Sequence, residues 1–346
     1  MSKNYLISTG GSGGHVIPAI ILHEHLKEKF DLIISTDQRG KKYLGENFLK
    51  VNVIDTPKLG NIFMLPFNFL KILLLVIKSI ILIKKAKIDK LISTGGYMSF
   101  PLLVAAKFFN LKIYLLEPNF LLGRSNKFFL NFSEKIFCYS QKIKNFPKKF
   151  EKKVVLIKPL VRKNFYHPSI KKESTDKLKL LIIGGSQGAK FFDDFFKNII
   201  LSLSKKYPLK IIQQTSKKNI NNLKSFYQKN DVENLIFSYE NNFIDIVYKC
   251  DFCITRAGAS TLSELSILNI PFLAVPLPTA KDNHQFENAS YYKNYDCCWI
   301  IEQNFFEEKI EEILKDILIN KTDYLKKKEN LKKLNYQNTW INVNQK

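Results

Sequence analysis

The stretch Tyr5-Leu-Ile-Ser-Thr-Gly-Gly-Ser-Gly-Gly-His15 decides the fold prediction. It begins as a short run of mostly aliphatic residues, turns through four glycines and passes at once into a helical pattern. A strand, a glycine turn and a helix in this order open a βαβ unit. Glycines let backbone amides approach an anion, and the helix N-terminus adds about half a positive charge. The stretch therefore predicts a parallel sheet with an anion-binding turn at a strand end.

The glycine turn matches neither of the two common nucleotide-binding motifs. Val16 occupies the position of the third glycine in G-x-G-x-x-G, and the Gly-Lys-Ser/Thr of a P-loop does not follow. We therefore expect the turn to bind phosphate without being a standard dinucleotide or triphosphate site.

The phrase Ile-Ser-Thr-Gly-Gly occurs twice, at residues 7–11 and 92–96. In both places it ends a predicted strand, and the carboxyl ends of parallel strands face the same crevice. Two facing glycine turns of this kind can hold a diphosphate between them. A third glycine turn, at residues 184–189, opens the second half of the chain in the same context.

Predicted strands and helices alternate along the whole chain, which indicates two doubly wound α/β domains with parallel sheets. The segment 158–179 shows neither the helical nor the strand periodicity of apolar residues and contains prolines, so we interpret it as an interdomain linker. The predicted domains are residues 1–160 and 161–331, facing a cleft, and residues 307–334 look helical. A C-terminal helix at about 332–346 is expected to pack back on the first domain. The predicted strands are Tyr5–Thr9, Asp31–Thr36, Val51–Asp55, Lys90–Thr94, Lys112–Glu117, Lys135–Tyr139, Val154–Ile157, Leu180–Ile183, Leu209–Gln213, Leu235–Ser238, Asp251–Thr255, Pro271–Val275 and Trp299–Ile301.

The composition excludes several classes of protein. The 28 Phe and 15 Tyr rule out a disordered chain. The formal charge is +23, and only four of the 54 basic residues are arginine. Because Lys is spread over the whole chain rather than clustered among stacking aromatics, we expect no nucleic-acid partner. The positive field favours phosphates and an anionic membrane surface instead.

The five cysteines include one C-x-x-C motif, formed by Cys250 and Cys253. Adjacent Cys297 and Cys298 would point to opposite faces of a strand and cannot readily complete a tetrahedral metal site. We therefore expect buried, reduced thiols in a reducing compartment, and we expect no signal peptide because residues 1–7 run straight into a predicted strand. No metal and no cofactor is predicted, with a divalent-ion requirement left open.

Residues 63–83 form an almost wholly apolar segment that is followed by three closely spaced lysines. Three interpretations remain open: a buried core helix, a membrane-spanning helix, and a helix that lies in the membrane interface. We favour the interfacial helix, in which lysines bind headgroup phosphates. The residues predicted to enter lipid are Phe67, Leu70, Leu74 and Ile77.

Residues 251–264 (DFCITRAGASTLSE) read as a strand, a glycine turn and a helix that begins near Ser260. Amides at the helix N-terminus and the hydroxyls of Ser260 and Thr261 can hold phosphate oxygens. Glu264, one turn further on, can accept hydrogen bonds from two ribose hydroxyls. The chain contains no Asp-x-Asp, which argues against a metal-bridged nucleotide-sugar site. A leaving diphosphate would then be stabilised by helix dipoles and cationic side chains.

Seven motifs in a fixed order, GGSGGH, STGGYMSFP, EPN, LVR, GGSQGA, TRAGASTLSE and PLPTAKDNHQ, resemble the MurG family across almost the entire chain. These bacterial GT-B hexosyltransferases add N-acetylglucosamine to a lipid-linked muramoyl-pentapeptide during peptidoglycan synthesis. The resemblance implies two Rossmann-like domains and UDP-N-acetylglucosamine held mainly by the second. It also implies an undecaprenyl-diphosphate-linked acceptor held by the first, in a peripheral protein at the cytoplasmic face of the inner membrane.

The resemblance also implies which residues contact the substrates. Three of the four arginines, Arg124, Arg162 and Arg256, lie in or beside the motifs, where a guanidinium fork suits phosphate. Ile244 would offer its backbone to uracil, and His284 with Gln285 would meet the sugar hydroxyls. The acceptor diphosphate is assigned to Gly10, Gly11, Gly95, Gly96 and Tyr97. The substrate-binding set is Ser12, Gly13, Gly14, Asn119, Arg162, Ser186, Ile244, Ala259, Ser260, Thr261, Leu262, Ser263, Glu264, His284 and Gln285.

The expected reaction is an inverting transfer, in which the acceptor 4-hydroxyl attacks the anomeric carbon opposite UDP. His15 is the candidate general base because imidazole titrates in the right range and lies on the glycine turn. Glu117 is the alternative base, and His23 and His25 are expected to face solvent or the interdomain surface. A UDP-N-acetylglucosamine 2-epimerase, a diacylglycerol glycolipid synthase and a nucleic-acid binder are the rival interpretations.

Overall fold

A computed structural model of the protein describes residues 3–45, 48, 50–57, 64–168, 176–238, 240 and 242–334, with side chains except at 185–189 and 307. The chain divides into two compact units, the first spanning residues 1–163 and the second beginning at Asn164. The predicted C-terminal helix at 332–346 lies outside the described residues from position 335 onward.

The first unit is built on a seven-stranded parallel sheet with the strand order β3-β2-β1-β4-β5-β6-β7. Its strands are β1 Asn4–Ser8, β2 Asp31–Thr36, β3 Val51–Val53, β4 Lys90–Ser93, β5 Lys112–Glu117, β6 Lys135–Cys138 and β7 Val154–Leu156. Its helices are α1 Gly13–Leu26, α2 Gln38–Lys41, α3 Leu65–Lys85, α4 Phe100–Phe108 and α5 Arg124–Phe129.

The second unit is built on a six-stranded parallel sheet with the order β10-β9-β8-β11-β12-β13. Its strands are β8 Leu178–Ile183, β9 Leu209–Gln214, β10 Glu233–Phe237, β11 Phe252–Thr255, β12 Phe272–Ala274 and β13 Cys298–Ile300. Its helices are α6 Gly185–Ser204, α7 Ile220–Lys229, α8 Phe243–Tyr248, α9 Ala259–Ile267, α10 His284–Asn294, α11 Phe306–Ile319 and α12 Thr322–Lys333.

Burial explains why the strands form near-continuous apolar runs. Leu6 on β1, its register partner Leu91 on β4 and Leu115 on β5 are fully buried in the core of the first unit. Ile182 and Ile254 hold the same position in the second. A parallel sheet covered by helices on both faces leaves no solvated side, so its strands lack polar alternation. The predicted α/β class with two doubly wound parallel sheets is confirmed.

Two details differ from the sequence-based expectation. Residues 307–334 form two helices rather than one, because Lys321 adopts a left-handed backbone (φ 57°) between α11 and α12. The segment read as a linker also contributes structure: residues Lys163–Tyr166 form a 3-10 turn, and β8 already begins at Leu178. Strand propensity alone did not reveal the first residues of β8, because Leu178 and Lys179 follow a charged run.

Helix α3 presents most of its apolar side chains to the outside of the first unit. Phe67 is 62% exposed and Phe69 is 70% exposed, whereas Asn68 and Ser79 lie on the buried side. A core helix would show the reverse pattern, so the core-helix interpretation is wrong. By length and composition α3 is sufficient to cross a membrane. Its other exposed apolar residues are Leu65, Leu70, Leu73, Leu74, Ile77 and Ile81.

Candidate active site

The two copies of Ile-Ser-Thr-Gly-Gly end neighbouring strands in the middle of the first sheet. Ser8 on β1 is paired with Ser93 on β4, so the two glycine turns leave the sheet side by side. The chain continues from β1 to β2 on one side, while β4 lies on the other side of β1. This reversal of strand order is where open α/β sheets place their ligands.

The two glycine turns touch each other through their backbones. A Cβ added to Gly96 would lie 2.7 Å from the Gly10 carbonyl oxygen, and Gly96 has φ +87°. Gly95 and Gly11 also have positive φ, of +95° and +89°. Ser125 at the start of α5 donates a hydrogen bond to the Gly96 carbonyl at 3.0 Å. Glycine is therefore required here because the two turns approach each other closely, independently of any ligand.

His15 is fixed between the two turns. Its Nδ1 lies 3.0 Å from the Thr94 carbonyl oxygen, and the ring packs on Gly95, whose added Cβ would be 3.0 Å from Nδ1. A carbonyl oxygen can only accept, so Nδ1 carries a proton. In the neutral ring Nε2 is then the basic nitrogen, as a general base requires.

A cluster of Asp37, Arg39 and Tyr97 borders the glycine turns, and Arg39 lies outside the motifs that predict site residues. Asp37 is buried, and its Oδ2 accepts a hydrogen bond from Arg39 Nε at 2.9 Å. Arg39 Nη2 donates to the Tyr97 hydroxyl at 3.1 Å, and half of the Arg39 side chain is exposed. The scarcity of arginine in a chain so rich in Lys was the signal that could have found this residue.

The backbone amide of Gly11, assigned to the acceptor diphosphate, is already used within the protein. It donates to Asp37 Oδ1 at 2.8 Å, and the amide of Gly40 donates to the same oxygen at 2.9 Å. Burial favours the neutral acid, but these two bonds and Arg39 outweigh burial and lower the pKa of Asp37 below its ordinary value. The Gly11 amide is therefore already engaged within the protein, and Arg39 supplies a positive charge nearby; the assignment of Gly11 to the acceptor diphosphate stays a prediction.

Glu117, the alternative base, holds the loop that follows β5. Its Oε2 accepts from the Gly123 amide at 2.8 Å and from Asn126 Nδ2 at 3.0 Å. Its Oε1 accepts from the Asn119 side chain at 3.1 Å and from the Asn119 amide at 3.2 Å. Burial raises the pKa of Glu117 although these four bonds oppose the shift. A carboxylate with both oxygens engaged in this way positions Asn119, which argues against its use as the base.

The other predicted site residues of the first unit lie on the turn before α1, at the start of α5 and near the C-terminal end of the unit. Ser12 and Gly14 are exposed in the turn before α1, and a Cβ on Gly13 would meet the Tyr43 ring at 3.2 Å. Arg162, two residues before the second unit, is half-buried, and Arg124 is exposed at the start of α5.

In the second unit, α6 and α9 begin directly after the paired strands β8 and β11. Thr255 is paired with Ile183, so the two helix N-termini lie at the same edge of the sheet. Ser186 lies in the first turn of α6. Ser260 and Thr261, in the first turn of α9, are partly exposed. This edge therefore combines two helix N-termini, the positive ends of the helix dipoles, with hydroxyl groups, and such an arrangement suits phosphate.

Within the motif 259–264 the structure separates anion-facing groups from core residues. The helix bonds begin with the Leu262 amide, which donates to the Gly258 carbonyl, so only the amides before Leu262 face outward. Leu262 is fully buried, and the Ser263 hydroxyl donates to the Ala259 carbonyl at 2.8 Å. The side chains of Leu262 and Ser263 are therefore engaged within the protein, and their assignment to the substrate stays a prediction. Glu264 is buried one turn behind Ser260.

Arg256 does not present its guanidinium to a phosphate. Nη1 donates to the Val275 carbonyl at 3.1 Å and Nη2 to Gln303 Oε1 at 2.7 Å. The group stacks over the rings of Phe191 and Phe192 at 4.9 and 5.0 Å, and burial lowers the pKa of Arg256 to about 10. The expected phosphate contact of Arg256 is therefore wrong, because the side chain ties the glycine turn to the loop after β12.

The other predicted donor residues begin helices α8 and α10. Ile244 is buried in the first turn of α8, which leaves its backbone for the predicted uracil contact. His284 and Gln285 open α10, which follows β12, the neighbour of β11. Gln285 Oε1 accepts from the Leu277 amide at 2.9 Å, and His284 Nδ1 lies 2.8 Å from the Lys281 carbonyl.

Two further expectations concern residues outside the site. His25 does not face solvent: it is buried, its Nε2 lies 2.8 Å from the Val161 carbonyl, and burial lowers its pKa. All five cysteines are buried and none is in a disulfide among the described residues, which confirms the prediction of buried thiols. Burial raises the pKa of Cys297 to about 11, so the thiol form is favoured there.

Comparison with known proteins gives the family. Residues 5–138 match the glycosyltransferase family 28 N-terminal domain, and residues 179–339 match the family 28 C-terminal domain. A UDP-N-acetylglucosamine–N-acetylmuramyl-(pentapeptide) pyrophosphoryl-undecaprenol N-acetylglucosamine transferase of Pelagibacter ubique is 49% identical, over 100% of this chain and 98% of the relative. The protein of the same name from Rickettsia canadensis is 35% identical over 92% of this chain and 91% of the relative.

A solved structure supports the fold. The crystal structure of Acinetobacter baumannii MurG matches with a TM-score of 0.78 and 22% identity, covering 99% of this chain and 98% of the other. The two parallel sheets with their flanking helices are thus the fold of a GT-B glycosyltransferase. The chain therefore belongs to glycosyltransferase family 28 and, within that family, to the MurG transferases.

Proposed function

We propose that the chain transfers N-acetylglucosamine from UDP-N-acetylglucosamine to the 4-hydroxyl of a muramoyl-pentapeptide on undecaprenyl diphosphate, with inversion at the anomeric carbon. The observation that carries this proposal is the full-length relationship to transferases named for that reaction. Such a transfer needs a group that binds the leaving UDP and a base for the acceptor hydroxyl. The chain offers candidates for both.

The donor is assigned to the second unit. The first-turn amides of α9 and the hydroxyls of Ser260 and Thr261 supply hydrogen bonds to the diphosphate, and the helix dipole stabilises the charge that develops as UDP leaves. Glu264 is the candidate acceptor for the ribose hydroxyls. The proposed reaction uses no cofactor, and a divalent ion would only raise the rate of a transfer that proceeds without it.

The acceptor is assigned to the first unit. His15 Nε2 removes the proton of the 4-hydroxyl while the oxygen attacks the anomeric carbon, and UDP leaves with the electron pair of the glycosidic bond. The glycine turns at Gly10 and Gly95–Gly96 lie beside Arg39 and Tyr97, which supply a guanidinium and a hydroxyl for the acceptor diphosphate.

The exposed apolar side of α3 is the candidate membrane contact, at the cytoplasmic face of the inner membrane. Its aromatic and aliphatic side chains would enter the acyl boundary while Lys84 and Lys85, in the last turn of α3, meet anionic headgroups. Co-sedimentation with anionic vesicles should drop sharply when Phe67 and Phe69 are both changed to Ser. The matched control changes Phe305 and Leu325, which are similarly exposed in the second unit. Equal binding by both double variants would contradict the α3 contact.

The reaction itself is tested by incubating the protein with labelled UDP-N-acetylglucosamine and a muramoyl-pentapeptide lipid, with diacylglycerol present as a competing acceptor. We expect the label on the muramoyl lipid, with the β-linkage that inversion produces. Label on diacylglycerol, or formation of UDP-N-acetylmannosamine without an acceptor, would contradict the proposal and support the synthase or the epimerase.

A further inference from the structure

The repeated phrase Ile-Ser-Thr-Gly-Gly places a threonine before each glycine turn, and neither threonine has a role in the proposed function. Thr9 and Thr94 follow the paired strands β1 and β4, and both are buried, with exposed fractions of 1% and 0%. Buried hydroxyls are costly unless they are hydrogen-bonded, so their partners show what they support.

The two hydroxyls meet each other and reach His15. Thr94 Oγ1 lies 2.8 Å from Thr9 Oγ1 and 2.9 Å from the His15 carbonyl oxygen. Because a carbonyl oxygen only accepts, the Thr94 proton goes to His15, and the Thr9 hydroxyl then donates to Thr94. This gives a directed chain from Thr9 through Thr94 to the backbone of His15.

Thr94 also holds the imidazole of the same residue. The Thr94 carbonyl accepts the Nδ1 proton at 3.0 Å, so one residue binds both the ring and the main chain of His15. The neighbouring Gly95 packs against the imidazole so closely that an added Cβ would lie 3.0 Å from Nδ1. Ring orientation and tautomer are thereby fixed by the second glycine turn.

We infer that Thr94, supported by Thr9, is a positioning residue for His15 that sets its tautomer and orientation as the base. The Thr94 carbonyl does for Nδ1 here what a carboxylate does for the histidine of many hydrolytic enzymes, while the Thr94 hydroxyl holds the main chain that carries the ring. The inference deepens the proposed function and rests on it, because it requires His15 to act in the transfer.

The test compares Thr94→Val, which keeps the shape but removes the hydroxyl, with Thr94→Ser, which keeps the hydroxyl. We expect Thr94→Val to lower kcat about tenfold, because a base displaced by a fraction of an ångström loses its alignment. The KM for UDP-N-acetylglucosamine should stay within about twofold, and Thr94→Ser should restore most of kcat. Thr36→Val is the matched control, since Thr36 is an equally buried threonine that ends the neighbouring strand β2.

A double-variant cycle with His15→Ala shows whether Thr94 acts through His15. In the His15→Ala background, Thr94→Val should have no further effect on kcat. An equal loss of kcat in both backgrounds, or an unchanged kcat for Thr94→Val alone, would overturn the inference. If Thr94→Val does not fold, Thr9→Val, which removes only the donor to Thr94, replaces it in the same cycle with a smaller expected loss.

Failure of the inference is distinguishable from failure of the proposed function. If His15→Ala itself keeps full kcat, the assignment of the base is wrong, and the positioning role is lost with it. If His15→Ala loses activity and Thr94→Val does not, the base stands and only the positioning role is overturned.

Discussion

The glycine turns of the first unit and the α9 turn of the second occupy the same topological position but are built differently. In the first unit the backbone at Gly11, Gly95 and Gly96 is left-handed, and the two turns touch. In the second unit Gly258 has an ordinary extended conformation (φ −71°, ψ 131°) and its surroundings are open.

The side chains around the two turns differ as well. A histidine, an arginine and a tyrosine border the first turn, whereas the one arginine in the α9 motif is directed into the protein. The position of a turn follows from the sheet, but its chemistry follows from the side chains that reach it. The first unit thus carries groups suited to proton transfer and to binding a negative charge, whereas the second carries helix dipoles suited to an anion.

The largest expected effect concerns His15, the only residue of this comparison assigned to proton transfer. His15→Ala should lower kcat by about 10²- to 10⁴-fold, as expected for loss of a general base. The affinity for UDP, measured by calorimetry, should not change. An unchanged kcat would remove the chemical distinction between the two turns.

The difference in backbone is tested by adding one methyl group to each turn. Gly96→Ala should lower the free energy of unfolding by about 2–4 kcal/mol, because the Cβ meets the Gly10 carbonyl and φ is unfavourable. Gly258→Ala, its matched control, should cost no more than about 1 kcal/mol. Thermal unfolding of both variants measures this, and similar losses would show that the turns are not built differently.

The two arginines are compared by changing each to Gln. Arg256→Gln should destabilise the protein by about 2–3 kcal/mol, since several buried hydrogen bonds from a charged group are lost. Arg39→Gln should instead raise the KM for the lipid acceptor about tenfold, close to 1.4 kcal/mol, with little loss of stability. Steady-state kinetics and thermal unfolding of both variants separate the roles; a raised acceptor KM for Arg256→Gln alone would reverse them.

A smaller effect should appear in the acid stability of the first turn. The pKa of Asp37 is lowered in the folded protein, so its stabilisation is present at neutral pH and is lost as the pH falls through that pKa. The Tm of the wild type should therefore fall more than that of Asp37→Asn between about pH 6 and pH 3. Parallel Tm curves for the two proteins would show that Asp37 is not held as a charged group.

Much of the fold follows from the sequence because parallel strands and glycine turns depend on local pattern. Residues 112–117 were predicted with the observed limits of β5, since a buried run bounded by polar residues leaves little freedom. The break at Lys321 was missed because a left-handed backbone in a lysine carries no sequence signal.

Site residues could be proposed from the sequence only where a motif itself carries the group. His15 was named from its place on the glycine turn, and its role stays a prediction. The inward direction of Arg256 and the use of the Gly11 amide depend on Phe191 and Asp37, which lie far away along the chain. Arg39 was missed for the same reason, because only pairing of β1 with β2 brings it to the turn.

The division of roles between the two units is tested most directly by UDP binding in the absence of an acceptor. Isothermal titration calorimetry of UDP is compared for the wild type, for His15→Ala and for the double variant Ser260→Ala, Thr261→Val. We predict that the double variant binds UDP at least about tenfold more weakly, whereas His15→Ala retains the wild-type Kd. Weakened binding in His15→Ala together with wild-type binding in the double variant would contradict the assignment of the donor to the second unit.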